Sequence, residues 1–144
     1  MLPALAMILI GFTIFSIIIA TAYTTFDNKQ DRESNFKQAD FILEKICSPN
    51  AVFTFEGNTI NLQTFTSNES ENYIQRIQQS FVKYDYSFAV KLSYDHNSHW
   101  LPQTPSQEIS QTNTYASSKQ VSVKINEVTT TPGRVTVIFW KNGI

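Results

Sequence analysis

The sequence predicts an α+β fold: a long N-terminal hydrophobic α-helix is followed by a β-rich, mostly antiparallel globular head with one short helix. Three observations predict it. The first 26 of the 144 residues carry no charge, and residues 27–47 keep a helical spacing of apolar side chains. The rest of the chain consists of short alternating runs separated by turn residues, which is the pattern of strands. We therefore divide the chain into residues 1–26, 27–50 and 51–144.

Residues 1–26 are apolar enough to form a membrane-spanning helix. Nineteen of them are apolar, and all 23 charged residues of the chain lie in residues 27–144. A helix of this length is roughly 39 Å long, whereas the hydrocarbon core of a membrane is about 30 Å thick. Pro3 fits the first turn, where its missing N–H would have no helical partner.

Two other interpretations of residues 1–26 stay open. Ala20-Thr21-Ala22 has the small-x-small pattern of a signal-peptide cleavage site, although the apolar run is longer than usual and no basic residue precedes it. The other interpretation is a plain single-pass anchor. An anchor predicts Lys or Arg on the cytoplasmic flank, and no such residue precedes Asp27.

Residues 27–47 continue the helix with one apolar face. They contain neither Pro nor Gly, and their apolar residues recur at about i, i+3 and i+7. Ser48-Pro49-Asn50 ends the helix, because proline disfavours the helical conformation in the residue before it. The whole helix would be roughly 70 Å long. The side chains expected to pack on the head are Phe36, Ala39, Ile42, Leu43, Ile46 and Cys47.

The first half of the head is predicted to contain a hairpin and the short helix. Residues 51–55 and 59–65 have strand composition, and residues 56–58 include a glycine that suits a hairpin turn. Apolar residues at i, i+3 and i+7 predict the short helix over about residues 69–84.

The second half is predicted to contain three strands. Residues 84–94 alternate strictly, which predicts a central strand. Residues 96–114 are polar and contain two prolines, so we expect a surface loop anchored by Trp100 and Leu101. The last two strands are expected over residues 121–125 and 135–139, joined by a turn at residues 129–133.

The composition excludes several classes of protein. The 11 basic residues are balanced by 12 acidic ones and form no cluster, so nucleic acid is not an expected partner. Cys47 is the single cysteine, which excludes an intrachain disulfide framework. The sequence has no phosphate-binding loop, dinucleotide loop or catalytic triad pattern. We therefore expect neither an enzyme nor a cofactor.

Two further features concern metals and modification. His96 and His99, with Asp95 and Asp85, have metal-ligating side chains, but two histidines and a carboxylate in a loop fall short of a closed zinc site. We therefore expect no metal. Asn68 opens the one N-x-S/T tripeptide of the chain, in a predicted exposed loop, and is a candidate N-glycosylation site.

The layout of the whole chain resembles the type IV pilin superfamily, and the archaeal pilins and archaellins more than the bacterial pilins. The resemblance lies in an uncharged N-terminal helix, an amphipathic continuation and a compact β-rich head. Bacterial type IV pilins usually carry a glutamate near the start of the mature helix, whereas residues 1–6 contain no acid. The resemblance implies two partners: a prepilin peptidase that removes a leader before Met1, and an ATP-driven assembly platform in the membrane.

We accordingly expect the structural subunit of an extracellular type IV pilus-like filament, a homo-oligomer held by its N-terminal helices. The unassembled subunit would reside in the cytoplasmic membrane and the assembled one on the cell surface. The alternative is a single-pass, membrane-anchored extracytoplasmic binding protein or a minor component of a pilus or secretion machine. The residues expected to pack in the filament core are Leu2, Leu5, Ile8, Leu9, Gly11, Phe12, Phe15, Ser16, Ile19 and Ala20.

Overall fold

The computed structural model describes residues 2–54, 57–82, 86–102 and 114–141. It confirms the α+β fold with a long N-terminal apolar helix. The chain forms two compact units that divide between Ser34 and Asn35. The helices and strands, in chain order, are α1 (Leu2–Ile46), β1 (Thr59–Asn61), α2 (Leu62–Phe65), α3 (Asn68–Val82), β2 (Tyr86–Tyr94), β3 (Asn97–Leu101), β4 (Thr114–Lys124) and β5 (Thr130–Lys141).

The strands form one mixed, five-stranded sheet in the order β1-β4-β5-β2-β3. β5 lies in the middle and pairs antiparallel with β4 on one side and with β2 on the other. The β2–β3 pair is also antiparallel, whereas the short strand β1 pairs in parallel with β4. The described sheet is therefore mostly antiparallel, as predicted.

The helices of the head pack on one side of this sheet, which we call the inner face. Phe36 of α1 lies edge-on to Tyr115 of β4, with 5.2 Å between the ring centroids. Phe81 of α3 makes similar contacts with Phe88 and Phe139, at 5.9 and 6.0 Å. The largest fully buried side chains between these layers are Ile42, Ile46, Phe53, Ile60, Phe65, Ile74, Phe88, Leu92 and Phe139.

The hairpin predicted over residues 51–65 is found only in part, and residues 55 and 56 lie outside the described residues. The Asn61 N–H donates to the Phe53 carbonyl oxygen at 2.8 Å, and Gly57 has a positive φ of 57°. Thr54 forms only an isolated bridge to Ile60, and β1 ends at Asn61. The Asn61 side-chain oxygen accepts hydrogen bonds from the backbone N–H groups of Gln63 and Thr64, at 3.1 and 3.5 Å, and so caps α2. The described residues of the head thus contain two helices after α1 instead of the one predicted.

Part of the predicted loop over residues 96–114 is also wrong, because β3 occupies its beginning. Asp95 and His96 form a tight turn between β2 and β3, and Asp95 has a positive φ of 48°. Aspartate tolerates this left-handed conformation better than most residues. Leu101 is buried and Trp100 partly buried, as expected for anchors. Residues 103–113 lie outside the described residues.

The last hairpin turns earlier than predicted. The Asn126 side-chain oxygen accepts hydrogen bonds from the N–H groups of Val128 and Thr129, at 2.9 and 2.8 Å, and β5 begins at Thr130. Gly133 therefore lies inside β5. The reason for glycine there is a close approach, since a Cβ would lie 2.5 Å from Val123 Cγ2 and 2.8 Å from the Ser93 carbonyl oxygen.

The strand predicted over residues 84–94 is found as β2, with Tyr84 and Asp85 outside the described residues. It was expected to be central, and it does have a neighbour on each side. The middle position belongs to β5, however. Alternation shows that one face of a strand is buried, but it does not reveal the order of strands.

Candidate functional site

The apolar part of α1 is exposed along its whole length. α1 is long and apolar enough to cross a membrane, and none of its most apolar stretch is buried. Fourteen large apolar side chains of residues 2–26 are exposed. They are Leu2, Leu5, Met7, Ile8, Leu9, Ile10, Phe12, Ile14, Phe15, Ile17, Ile18, Ile19, Tyr23 and Phe26.

The threonine hydroxyls of this segment are already hydrogen-bonded within the helix. Each donates to a backbone carbonyl oxygen three or four residues earlier, at 2.8–3.0 Å; the donors are Thr13, Thr21, Thr24 and Thr25. A polar group that is satisfied in this way loses little when its helix enters an apolar environment. These threonines therefore do not oppose burial in lipid or among other helices.

All residues predicted to pack in a filament core lie on this exposed part of α1. Their large side chains range in exposure from 84% at Leu2 to 39% at Ile19. Around Gly11, a Cβ would meet no described atom within 4 Å. Contact of these residues with other copies stays a prediction.

The residues predicted to pack on the head lie at the other end of α1. Ala39, Ile42, Leu43 and Ile46 are buried, whereas Phe36 is 48% exposed although its ring contacts Tyr115. Asp40, on the same end of α1, accepts a hydrogen bond from the Ser117 hydroxyl of β4.

Cys47 follows the last residue of α1. It is buried, and its N–H donates to the Leu43 carbonyl oxygen at 2.9 Å. Burial raises the pKa of its thiol above the ordinary 9.0, and the positive charge of Lys119 opposes part of that shift. A buried thiol that holds its proton is a poor nucleophile.

Asn68 is exposed, but it is the first residue of α3 and does not lie in a loop as predicted. Ser70, the third residue of the acceptor tripeptide, is fully buried, and its hydroxyl donates to the Thr64 carbonyl oxygen at 2.5 Å. In the folded head, Asn68 is therefore accessible, whereas the Ser70 hydroxyl of the same tripeptide is already hydrogen-bonded. Attachment of a glycan stays a prediction.

The two histidines have different surroundings. His99 stacks on Tyr94, with 5.8 Å between ring centroids, and its Nε2 lies 3.1 Å from the tyrosine hydroxyl. His96 is exposed in the turn between β2 and β3. In the part of the chain that the structure describes, no three His, Cys, Asp or Glu side chains are grouped to hold a metal ion. Asp85 lies outside that part.

The sequence did not reveal a polar groove on the outer face, the side of the sheet opposite the inner face. The groove is open, has a volume of about 870 Å³ and is lined in part by Lys91, Trp100 and Arg134. These residues occupy outward positions on β2, β3 and β5. Strand alternation shows that each points outward, but only the order of the strands brings them together.

These features define an α+β protein that carries a helix able to cross a membrane. No protein-family model, curated protein or solved structure matches the chain.

Proposed function

We propose that the chain is the structural subunit of an extracellular, type IV pilus-like filament. N-terminal helices of many copies pack together in the core, and the heads form the wall. The observation that carries this proposal is the contrast within one chain. The head encloses its own apolar core, whereas residues 2–26 expose nearly every apolar side chain that they have.

Water cannot be the final environment of this helix. Burying a large apolar side chain is worth roughly 1.5–3 kcal/mol, so the fourteen exposed ones together represent tens of kcal/mol. Either lipid or other copies of the helix must cover them. A filament held in this way would resist dissolution once assembled.

Transfer from lipid to a helical bundle gains little from the release of water, because the helix is already in apolar surroundings. Close packing must supply the difference. Gly11, Ser16 and Ala20 offer positions where neighbouring backbones can approach, and Ser16 and Ala20 have the small-xxx-small spacing of helix contacts. The modest gain also means that extraction needs an energy source, which is the role of the proposed ATP-driven platform.

The continuity of α1 supports a filament more than a simple tether. α1 has no break between Leu2 and Ile46, and its last turns are buried in the head. A tether needs only to cross the lipid, and it works with any flexible link to its domain. The turns of α1 over residues 36–46 pack on the head, which is more than a tether needs, whereas a filament subunit would use both the exposed and the packed parts of the helix.

The test uses a photo-crosslinking phenylalanine analogue, benzoylphenylalanine, in the full chain within the cells that make it. Phe12 and Ile14 are replaced one at a time; at about 100° per residue they lie on nearly opposite sides of α1. In a filament core both sides face other copies. We therefore expect both variants to give covalent products with residues 2–26 of another copy, in sheared surface material that shows filaments by negative staining.

Other results would contradict the proposal in recognisable ways. Crosslinks to lipid acyl chains at both positions would identify a lone membrane anchor. A crosslink to another copy at one position alone would indicate a paired anchor. A matched control at Val128, which is 94% exposed in the β4–β5 turn, reports contacts of the head and not of the helix.

A further inference from the structure

The outer face of the sheet carries two rows of polar side chains. One row crosses the sheet through Trp100, Lys91 and Thr136, which are partners in the strand register. The next row crosses it through Ser93, Arg134 and Gln120. All six side chains line the groove of about 870 Å³. Within the described residues, the three helices of the head contact the inner face, so none of them covers this groove.

The groove holds more positive than negative charge. Lys91 and Arg134 are diagonal neighbours on adjacent strands, a placement in which Cα atoms are about 7–8 Å apart. Asp95 is the one acidic side chain among the described lining residues, and it accepts a hydrogen bond from the Thr131 hydroxyl at 3.4 Å. Two cations and one carboxylate leave one net positive charge.

Neither Lys91 nor Arg134 is paired with an acidic side chain in the described part of the chain. The Lys91 ammonium lies 5.4 Å from the centre of the Trp100 ring, a cation–π contact. Arg134 is exposed and, in the described part of the chain, has no hydrogen-bond or ion-pair partner. A guanidinium presents a planar fork of donors that matches a carboxylate or sulfate in two parallel bonds. Arg134 is thus poised for an anionic group.

Three polar side chains of the lining match the hydroxyl groups of a sugar. Ser93, Gln120 and Thr136 offer hydroxyl and amide groups that both donate and accept hydrogen bonds. Trp100 offers an apolar ring on which the C–H face of a pyranose packs. Trp100 also lines a neighbouring cavity of about 480 Å³.

From these observations we propose that the outer face binds an acidic polysaccharide, with Arg134 and Lys91 holding a uronate carboxylate and Trp100 stacking on a sugar ring. An open groove that crosses four strands accommodates an extended polymer better than a compact metabolite. Nucleic acid is the less suitable anion, because a strand of phosphates requires a longer run of cations than two. The inference concerns the head alone and does not require that filaments form.

The test is calorimetric titration of the full chain, in a neutral detergent, with oligogalacturonate and with a neutral galactose oligomer of equal length. We expect the acidic oligomer to bind at least about tenfold more tightly, the ratio that one charge-assisted contact supplies. Arg134→Gln should remove this preference, and Trp100→Leu should weaken both oligomers. The matched control is Arg76→Gln, which changes an exposed arginine on α3 and should bind like the wild type.

Three outcomes would overturn the inference. They are no binding by the wild-type chain, equal affinity for the two oligomers, and equal losses in Arg134→Gln and Arg76→Gln. A thymidine oligonucleotide that displaces the oligogalacturonate at lower concentration would assign the groove to nucleic acid instead. Near-ultraviolet circular dichroism of each variant shows whether the head is folded. Because detergent keeps the chain dispersed, a failed titration leaves the filament proposal untouched.

Discussion

Phe12 and Phe15 in α1 are 69% and 60% exposed, whereas Phe53, Phe65 and Phe88 in the head are completely buried. The same residue type thus has opposite environments in the two regions of one chain. In the head, phenylalanines stabilise the fold of a single copy through contacts with one another, such as the edge-on Phe53–Phe65 pair at 5.2 Å. Phe12 and Phe15 stay exposed until something outside the chain covers them. Apolar content alone therefore does not distinguish a fold-stabilising core from an apolar surface that the chain itself leaves exposed.

The strongest test of this comparison truncates one phenylalanine in each region. Phe139 is buried, stacks on Tyr86 with 4.9 Å between ring centroids, and contacts Phe81. We expect Phe139→Ala to lower the free energy of unfolding of the head by about 3–5 kcal/mol, because it removes apolar contacts and leaves a cavity. Phe12→Ala should change it by less than about 0.5 kcal/mol.

Guanidinium titration of the full chain in detergent, followed by near-ultraviolet circular dichroism, measures both values. Phe12→Ala should instead impair filament assembly. If the two substitutions destabilise the head equally, the apolar helix is part of the folded core and the comparison fails.

A second pair of substitutions compares the glycines of the two regions. Gly133→Ala introduces a Cβ that would lie 2.5 Å from Val123 Cγ2 and 2.8 Å from a backbone oxygen, so we expect a loss of about 1–3 kcal/mol in the head. Gly11→Ala meets no described atom within 4 Å and should strengthen the isolated helix by roughly 1 kcal/mol, since alanine favours helix.

The same denaturation assay checks Gly133, and helix content by far-ultraviolet circular dichroism checks Gly11. The informative case is a Gly11→Ala chain that is more helical yet assembles poorly, because it would place a neighbouring backbone against Gly11. A Gly133→Ala head as stable as the wild type would show that β4 and β2 can move away from the new Cβ at no cost in stability.

The smallest effect is expected from pH, and it should appear in the head alone. Burial raises the pKa of Cys47 above 9.0 and that of Tyr73 above 10.0. The unfolded chain therefore releases these protons first, so the stabilisation is complete below pH 9 and is lost as the pH rises through the folded pKa values. Unfolding midpoints between pH 8 and 11 measure the slope.

The matched variant for this slope is Cys47→Ala. It should flatten the first part of the alkaline decline, between pH 9 and 10, and leave the part due to Tyr73. An unchanged slope would mean that the thiol titrates normally in the folded head.

Much of the fold was predictable, because local patterns determine it. The division of charge and the spacing of apolar residues predicted α1 to within one residue of its observed end at Ile46. Alternation correctly placed Leu92, Val123 and Val137 on buried strand faces. In each case the signal lies within a few neighbouring residues of the chain.

The predictions were wrong where the structure depends on residues that are far apart in the sequence. β1 is only three residues long and pairs in parallel with β4, about 60 residues further along the chain. A local sequence pattern cannot predict such a distant partner. The alternation of Ile60 and Leu62 suggested one long strand, but the Asn61 side chain caps a helix there instead. The groove could not be predicted for a related reason, since Lys91, Trp100 and Arg134 become neighbours only through the strand order.

The position of β5 in the sheet determines when the sheet can form during synthesis of the chain. β5 is the last strand in the described chain, yet it is the one that joins β4 to β2. Until residues 130–141 have been synthesised, no strand lies between β4, which pairs with β1, and β2, which pairs with β3. The five-stranded sheet can therefore be completed only after β5 has been synthesised, by which time the apolar helix has long since left the exit tunnel.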